Sequence, residues 1–225
     1  MSIVNKYKVV SIDSYLCKDW LLYKHYAKRI PSISYSFGLY SDNLLIGILT
    51  IGKPASPQLC DGICGKEYSS FVYELNRLCI NDGLEKNVLS YFVSKCLKLI
   101  NKNMILVSYA DTKMNHNGYI YQATNWIYTG ITSMEKIYID KRTNEVIHPR
   151  TIVSTYGSRE AESLPEHIEI SKEESGKYRY FQFLGDKRHV AEMKRNLKYK
   201  ILEYPKGEND RYDASYNTNV QGLLF

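Results

Sequence analysis

Two runs of alternating apolar residues, SYSFGLY and NLLIGILTIG, meet at the turn residues Ser41-Asp42-Asn43. That pattern commits the chain to a β-hairpin. A hairpin alone is marginal in water, so other strands must extend the sheet, and the chain supplies them. FVYELNRLCI (71–80) alternates as a strand and is broken by Asn81-Asp82-Gly83. Residues 85–101 place Val88, Tyr91, Phe92, Lys95, Cys96 and Leu99 at helical spacing. MILVSY (104–109) is nearly all apolar, as a strand inside a sheet is. GYIYQATN predicts a short helix and WIYTGITSM another strand. Upstream, residues 15–30 read as a first helix closed by Pro31. Residues 54–68, rich in Pro, Gly and Cys, read as a long excursion loop. This order predicts an α/β (α+β) fold with a mixed, mostly antiparallel central sheet flanked by helices.

The 225 residues fit one medium domain with an appendage, and 44% hydrophobic residues are enough to build its core. Beyond about Glu160 the chain turns polar (REAESLPEHIEISKEESGK) and then basic. The expected division is a core over 1–160, a polar linker or insertion over 161–176, a basic segment over 177–206 and a flexible tail over 207–225. No apolar run approaches the roughly 20 residues of a membrane span, and MSIVNKYKVV has no signal-peptide core. An intracellular protein with no membrane partner is expected. Five cysteines, an odd number, argue for reduced thiols. Cys60 and Cys64 lack a second Cys/His pair at zinc spacing.

Charge is unevenly placed. From Lys177 to Lys206 there are nine Lys/Arg and three Asp/Glu, so this stretch carries the whole net charge of +6. Lys177, Arg179, Lys187, Arg188, Lys194 and Arg195 are therefore candidate phosphate contacts on nucleic acid, although such runs are usually solvated helix faces. Tyrosine is also abundant, 21 against 6 Phe and 2 Trp. It suits half-wet surfaces and base stacking, and an AT-biased coding sequence would enrich it as well.

The element order, and the segment NHNGYIYQATNWIYTG, resemble the GNAT acyltransferase scaffold. Finer words, HYAK, GKPAS, YELNRLCI, SYADTKMNHNGYIYQATNWIYTG and KYRYFQFLGDKR, together resemble the phage Mom family over roughly residues 20–206. The resemblance implies an enzyme that converts DNA adenine to a carbamoylmethyl derivative and so shields phage DNA from restriction. It implies double-stranded DNA as partner, a bacterial cytoplasm as location, and an iron site on His25, Tyr26 and Asp111. A second copy of the chain is a further candidate partner. Acetyl-CoA is the donor of a GNAT enzyme, but NDGLEKNVLS has one glycine where such enzymes cradle the pyrophosphate, and Glu85 would repel it.

The residues carry their own chemistry. Imidazole, phenolate and carboxylate form a sound iron set, and Asp111 follows a strand end, where open α/β sheets place ligands; a surface His and a turn-capping Asp are the plain alternatives. Glu74 and Arg77, three apart on one strand, point to opposite faces unless a bulge intervenes. At least one then faces the core or a cleft, where a buried ion needs a partner; an Arg–carboxylate clamp across strands is the alternative. Ser108 and Tyr109 close the neighbouring strand as possible substrate donors. Tyr119, Tyr121, Trp126 and Tyr128 form an aromatic cluster suited to an extruded base or to ordinary core packing. In GNAT geometry Tyr119 or Tyr121 would be the acid for the leaving thiol, and Trp126 is a candidate DNA contact. His116 lies in a polar loop, as a base or an ordinary exposed His. Three functions follow: a DNA adenine modifier, a GNAT N-acyltransferase for a protein or small amine, and a non-catalytic DNA-binding anti-restriction protein.

Overall fold

The computed structural model describes residues 3–207; most of the predicted tail, 208–225, lies outside the described residues. A short helix α1 (Ile3–Lys6) leads into β1 (Tyr7–Ser11), and the expected hairpin forms as β2 (Tyr35–Ser41) and β3 (Leu44–Gly52). Asp42 and Asn43 both take positive φ at its turn, which Asn and Asp tolerate better than most residues. There follow α2 (Pro57–Cys64), β4 (Val72–Ile80), α3 (Val88–Leu99), β5 (Met104–Asp111), α4 (Tyr119–Ala123) and β6 (Ile127–Ile131). Next come β7 (Glu135–Asp140), β8 (Glu145–Ile147), α5 (Pro149–Tyr156), β9 (Ile168–Ser175), β10 (Lys177–Leu184) and α6 (Lys187–Arg195).

Seven strands form one sheet in the order β1-β2-β3-β4-β5-β10-β6, and three form a small second sheet, β8-β7-β9. Every neighbouring pair in the large sheet is antiparallel except β4–β5. The fold is therefore mixed, mostly antiparallel and flanked by helices, as expected. The small sheet and α5 are inserted between β6 and β10, so the chain leaves the large sheet at its edge and returns one strand further in. Where a polar linker or insertion is expected, residues 168–175 are a strand, and Tyr138, Ile152 and Ile168 bury against one another to form a core of their own.

The large sheet is covered on both faces. On one, α3 buries Val88, Phe92, Val93 and Cys96 against Leu49, Leu75, Leu106, Tyr121, Trp126 and Tyr180; Leu99, expected on this face, is exposed. On the other, Ile63, Cys64 and Met193 from α2 and α6 pack on Val72, Ile105, Val107, Phe181 and Phe183. Two sequence expectations fail here. The loop predicted at 54–68 contains α2, started by Ser56, whose Oγ accepts from Leu59 N, with Pro57 in the first turn. The helix predicted at 15–30 is a 3₁₀ turn at Ser14–Cys17 and a π turn at Trp20–Lys24, after which His25 is extended. Cys17, Trp20 and Leu21 are fully buried. The wide turn ends at Lys24, and His25 follows in extended conformation and is buried.

Candidate active-site cleft

β4 and β5 are hydrogen-bonded in parallel only over Val72–Glu74 and Ile105–Val107. Beyond that they part, and the cleft opens at their carboxyl ends. Ser108 spans the parting strands: its Oγ lies 2.7 Å from both Leu75 O and Tyr121 Oη. A carbonyl only accepts, so Ser108 donates to Leu75 and accepts from Tyr121. Tyr121 reaches this point from α4, wedged between Trp126 and Tyr180 with ring centres 5.1 Å away in each case. Burial raises its pKa, against the Ser108 hydrogen bond, so its hydroxyl is a retained proton donor.

Glu74 and Arg77 face the same side of β4. Thr50 pairs with Arg77 while Ile51 pairs with Leu75, which leaves Asn76 as the extra residue of a β-bulge. The burial pattern follows: Tyr73, Leu75, Leu78 and Ile80 pack toward α3, and Glu74 and Arg77 are left on the cleft side. Asn76 holds the bulge, accepting from Thr50 Oγ1 at 2.6 Å and donating to Ser32 O at 2.8 Å. Burial pushes the Glu74 carboxyl up, opposed by Arg77, Arg150 and Lys177. Arg77 donates to the carbonyls of Asn76 and Arg29, and its enclosed Nε has no partner.

His25 and Tyr26 form the opposite wall, stacked at 4.4 Å, with His116 edge-on to Tyr26 at 6.2 Å. Burial, then Arg77 and His116, lowers the His25 pKa to about 3. Burial, then Asp111, raises Tyr26 to about 12. Tyr109 is pushed up by burial and then by Glu74. The structure thus brings His25, Tyr26, Glu74, Arg77, Ser108, Tyr109, Asp111 and Tyr121 to one place, and adds Arg29, His116, His148, Arg150 and Lys177. Of the added groups, His148 and Arg150 carry no sequence signal, because the small sheet that delivers them is not legible as one.

The described residues do not support the iron assignment. His25 Nδ1 accepts a hydrogen bond from Ala27 N at 3.1 Å. The neutral ring then carries its proton on Nε2, the nitrogen that would have to bind the metal. Among the described residues no three His, Cys, Asp or Glu side chains are grouped to hold a metal ion. The expected coenzyme cradle is also thin: α3 starts after Asn87 without a side-chain cap, preceded by Asp82, Gly83 and Glu85. Glu85 itself pairs with Lys6.

Other expected site residues lie elsewhere. Trp126 is fully buried beside Tyr121, so it is a core residue and cannot stack on DNA as placed. Tyr119 is 63% exposed and lines a separate surface depression with Gln122, Leu202 and Tyr204; it is not in the cleft. Arg179 bonds Thr129 through Nε and Nη2 and lies 3.8 Å over the Tyr199 ring, an internal role. Lys187, Arg188, Lys194 and Arg195 are exposed on α6. That helix starts beside Asn103, at the end of the sheet away from Asp111.

A mixed sheet that splits between two parallel strands, with polar residues gathered in the split, defines an α+β scaffold with its candidate site at the parting strands. Solved structures similar to it include an N-acetyltransferase from Staphylococcus aureus (10% identity, TM-score 0.45, 79% of this chain and 98% of that one). A GNAT family acetyltransferase from Elizabethkingia anophelis with acetyl-CoA bound is similar at 10% identity and TM-score 0.42, over 80% of this chain and 99% of that one. The model of the Mom protein family matches residues 6–206, and the chain belongs to that family. It is 27% identical over 212 residues to "Methylcarbamoylase mom" of Escherichia phage Mu, covering 88% of this chain and 83% of that protein. Among the described residues no helix is long and apolar enough to cross a membrane.

Proposed function

We propose that this chain is a DNA-modifying enzyme that converts adenine to an N6-carbamoylmethyl-type derivative, protecting phage DNA from host restriction. The observation that carries this reading is the family match over 6–206, in a chain whose cleft gathers two carboxylates, a guanidinium and three phenols. An adenine inside a duplex is out of reach, so it must be extruded into the cleft. The stacked pair of His25 and Tyr26 offers it a flat wall. The new bond joins N6 to a methylene carbon. It forms as that carbon's bond to its leaving group breaks with the electron pair, and N6 sheds one proton.

Glu74 suits the proton. Its raised pKa favours uptake, and Arg77 on the same face opposes that rise. Tyr121, held in register by Ser108 and Leu75, would turn its one hydroxyl proton from Ser108 to the departing group or to the amide oxygen of the donor. The basic helix α6 gives a second surface for the duplex.

Nucleoside mass spectrometry of DNA from bacteria expressing the protein tests the proposal. A deoxyadenosine heavier by one carbamoylmethyl group is the expected product. Digests containing only unmodified nucleosides, from cells making folded protein, would overturn it.

A further inference from the structure

Four cations from four stretches of chain lie within electrostatic reach of the cleft: Arg29 after the π turn and Arg150 in the first turn of α5, both exposed, Arg77 on β4, and Lys177 at the start of β10. All four act on His148, and three of them act on Glu74. The carboxylates there are Glu74 and Asp111, the latter opposite Lys177 in the β5–β10 register. Among the described residues, the side chains of Arg29, Arg150 and Lys177 enter no ion pair or hydrogen bond. Like charges gathered without matching counter-charges repel one another, and proteins assemble them where an anion binds. His148 strengthens the site. Its Nδ1 accepts from Arg150 N at 3.1 Å, so the neutral ring keeps its proton on Nε2 as a donor. Arg150 and His148 come from the inserted lobe, Arg29, Arg77 and Lys177 from the main one.

We propose that Arg29, Arg150, Lys177 and the Nε2–H of His148 form a phosphate-binding subsite at the cleft mouth, which holds the phosphodiester beside the nucleotide being modified. This rests on the nucleic-acid reading above. It places the phosphate nearest the reaction on the seam between the two sheets, while α6 contacts the duplex further away.

The test is the affinity of the full chain for a short fluorescein-labelled duplex over a salt series. Each phosphate contact contributes about 0.9 to the slope of log affinity against log salt. Arg150→Gln/Lys177→Gln is expected to lower that slope by about 0.9, the share of the one phosphate the subsite holds; Arg150→Lys keeps it. Unchanged melting of the unliganded double variant shows that it folds, and Arg29→Gln provides an independent variant read the same way. Inorganic pyrophosphate separates the two sources of phosphate. If the double variant keeps its DNA slope but loses the melting shift that pyrophosphate induces in wild type, the subsite serves a phosphate on a small donor. If neither the slope nor the shift changes, the subsite is refuted. Binding is measured without turnover, so a lowered slope in a protein that leaves adenine unmodified would refute the proposed reaction and keep the subsite; the converse would do the reverse.

Discussion

At the scale of single residues, the cleft rests on ionisable groups enclosed with incomplete partners. Glu74 makes no hydrogen bond that would fix its charge, and burial lifts its pKa. Glu74→Gln is therefore expected to leave the melting temperature unchanged or higher, since no buried charge remains. It is expected to reduce modified deoxyadenosine by about 100-fold or more, the usual contribution of a general base; quantitative nucleoside mass spectrometry beside thermal melting checks both. His25 is predicted to govern acid stability. Its folded pKa, about 3, lies below the unfolded value near 6.5. The unfolded chain therefore binds the proton first, and stability is lost as pH falls through that window. One proton amounts to about 1.4 kcal/mol per pH unit. Denaturant titrations between pH 6.5 and 4 should show a slope flatter by about that amount in His25→Gln, whatever the variant's absolute stability. An unchanged slope would mean that His25 is protonated in the fold.

Among the elements, β4 and the turn after Leu21 show how local irregularity aims a site. Without the bulge at Asn76, Arg77 would point into the α3 core beside Leu75. Asn76→Ala removes the partner of Thr50, which is fully buried, and the bond to Ser32. A cost of about 2 kcal/mol is expected, together with a larger loss of activity than that destabilisation explains, as Arg77 loses its aim. Melting and product yield at a temperature where the variant is fully folded separate the two effects. Opposite Glu74, Gly52 is held small: a Cβ there would lie 1.8 Å from Ser32 O. Gly118 plays the same part for α4. Its φ is +79° and a Cβ would lie 2.3 Å from the Tyr180 ring, so any side chain there would displace the helix that presents Tyr121.

On the scale of the whole molecule, the positive charge is divided between two places. Part lies at the cleft mouth, between the main sheet and the inserted lobe, and part lies on α6. If α6 follows the duplex, changing Lys187, Arg188, Lys194 and Arg195 to Gln should reduce the salt slope by about three to four units and weaken binding alike across sequences. All four are exposed, so stability should change by no more than about 0.5 kcal/mol. An unchanged slope in the same duplex titration would make α6 a solvated face and leave the DNA to the cleft mouth alone.

The sequence by itself determined the periodic elements. The hairpin at Asp42-Asn43, strands at 71–80 and 104–109 and a helix within 85–101 follow from alternation, helical spacing and turn residues, all local signals. The family words marked His25, Tyr26, Glu74, Arg77, Ser108 and Asp111, and the structure gathers these together. Only the tertiary structure decided which side of β4 Arg77 faces, because a bulge is set by the register with β3. It alone put His25 beyond the helix, since the π turn ends at Lys24 and His25 is buried in extended conformation. It buried Trp126 and committed Arg179 to Thr129 and Tyr199, for no aromatic or basic residue reveals in sequence whether its neighbours are core or solvent. The same reason hid His148 and Arg150. Their place at the cleft depends on an inserted sheet whose apolar residues are few, and on a chain that returns to the large sheet between two strands already formed.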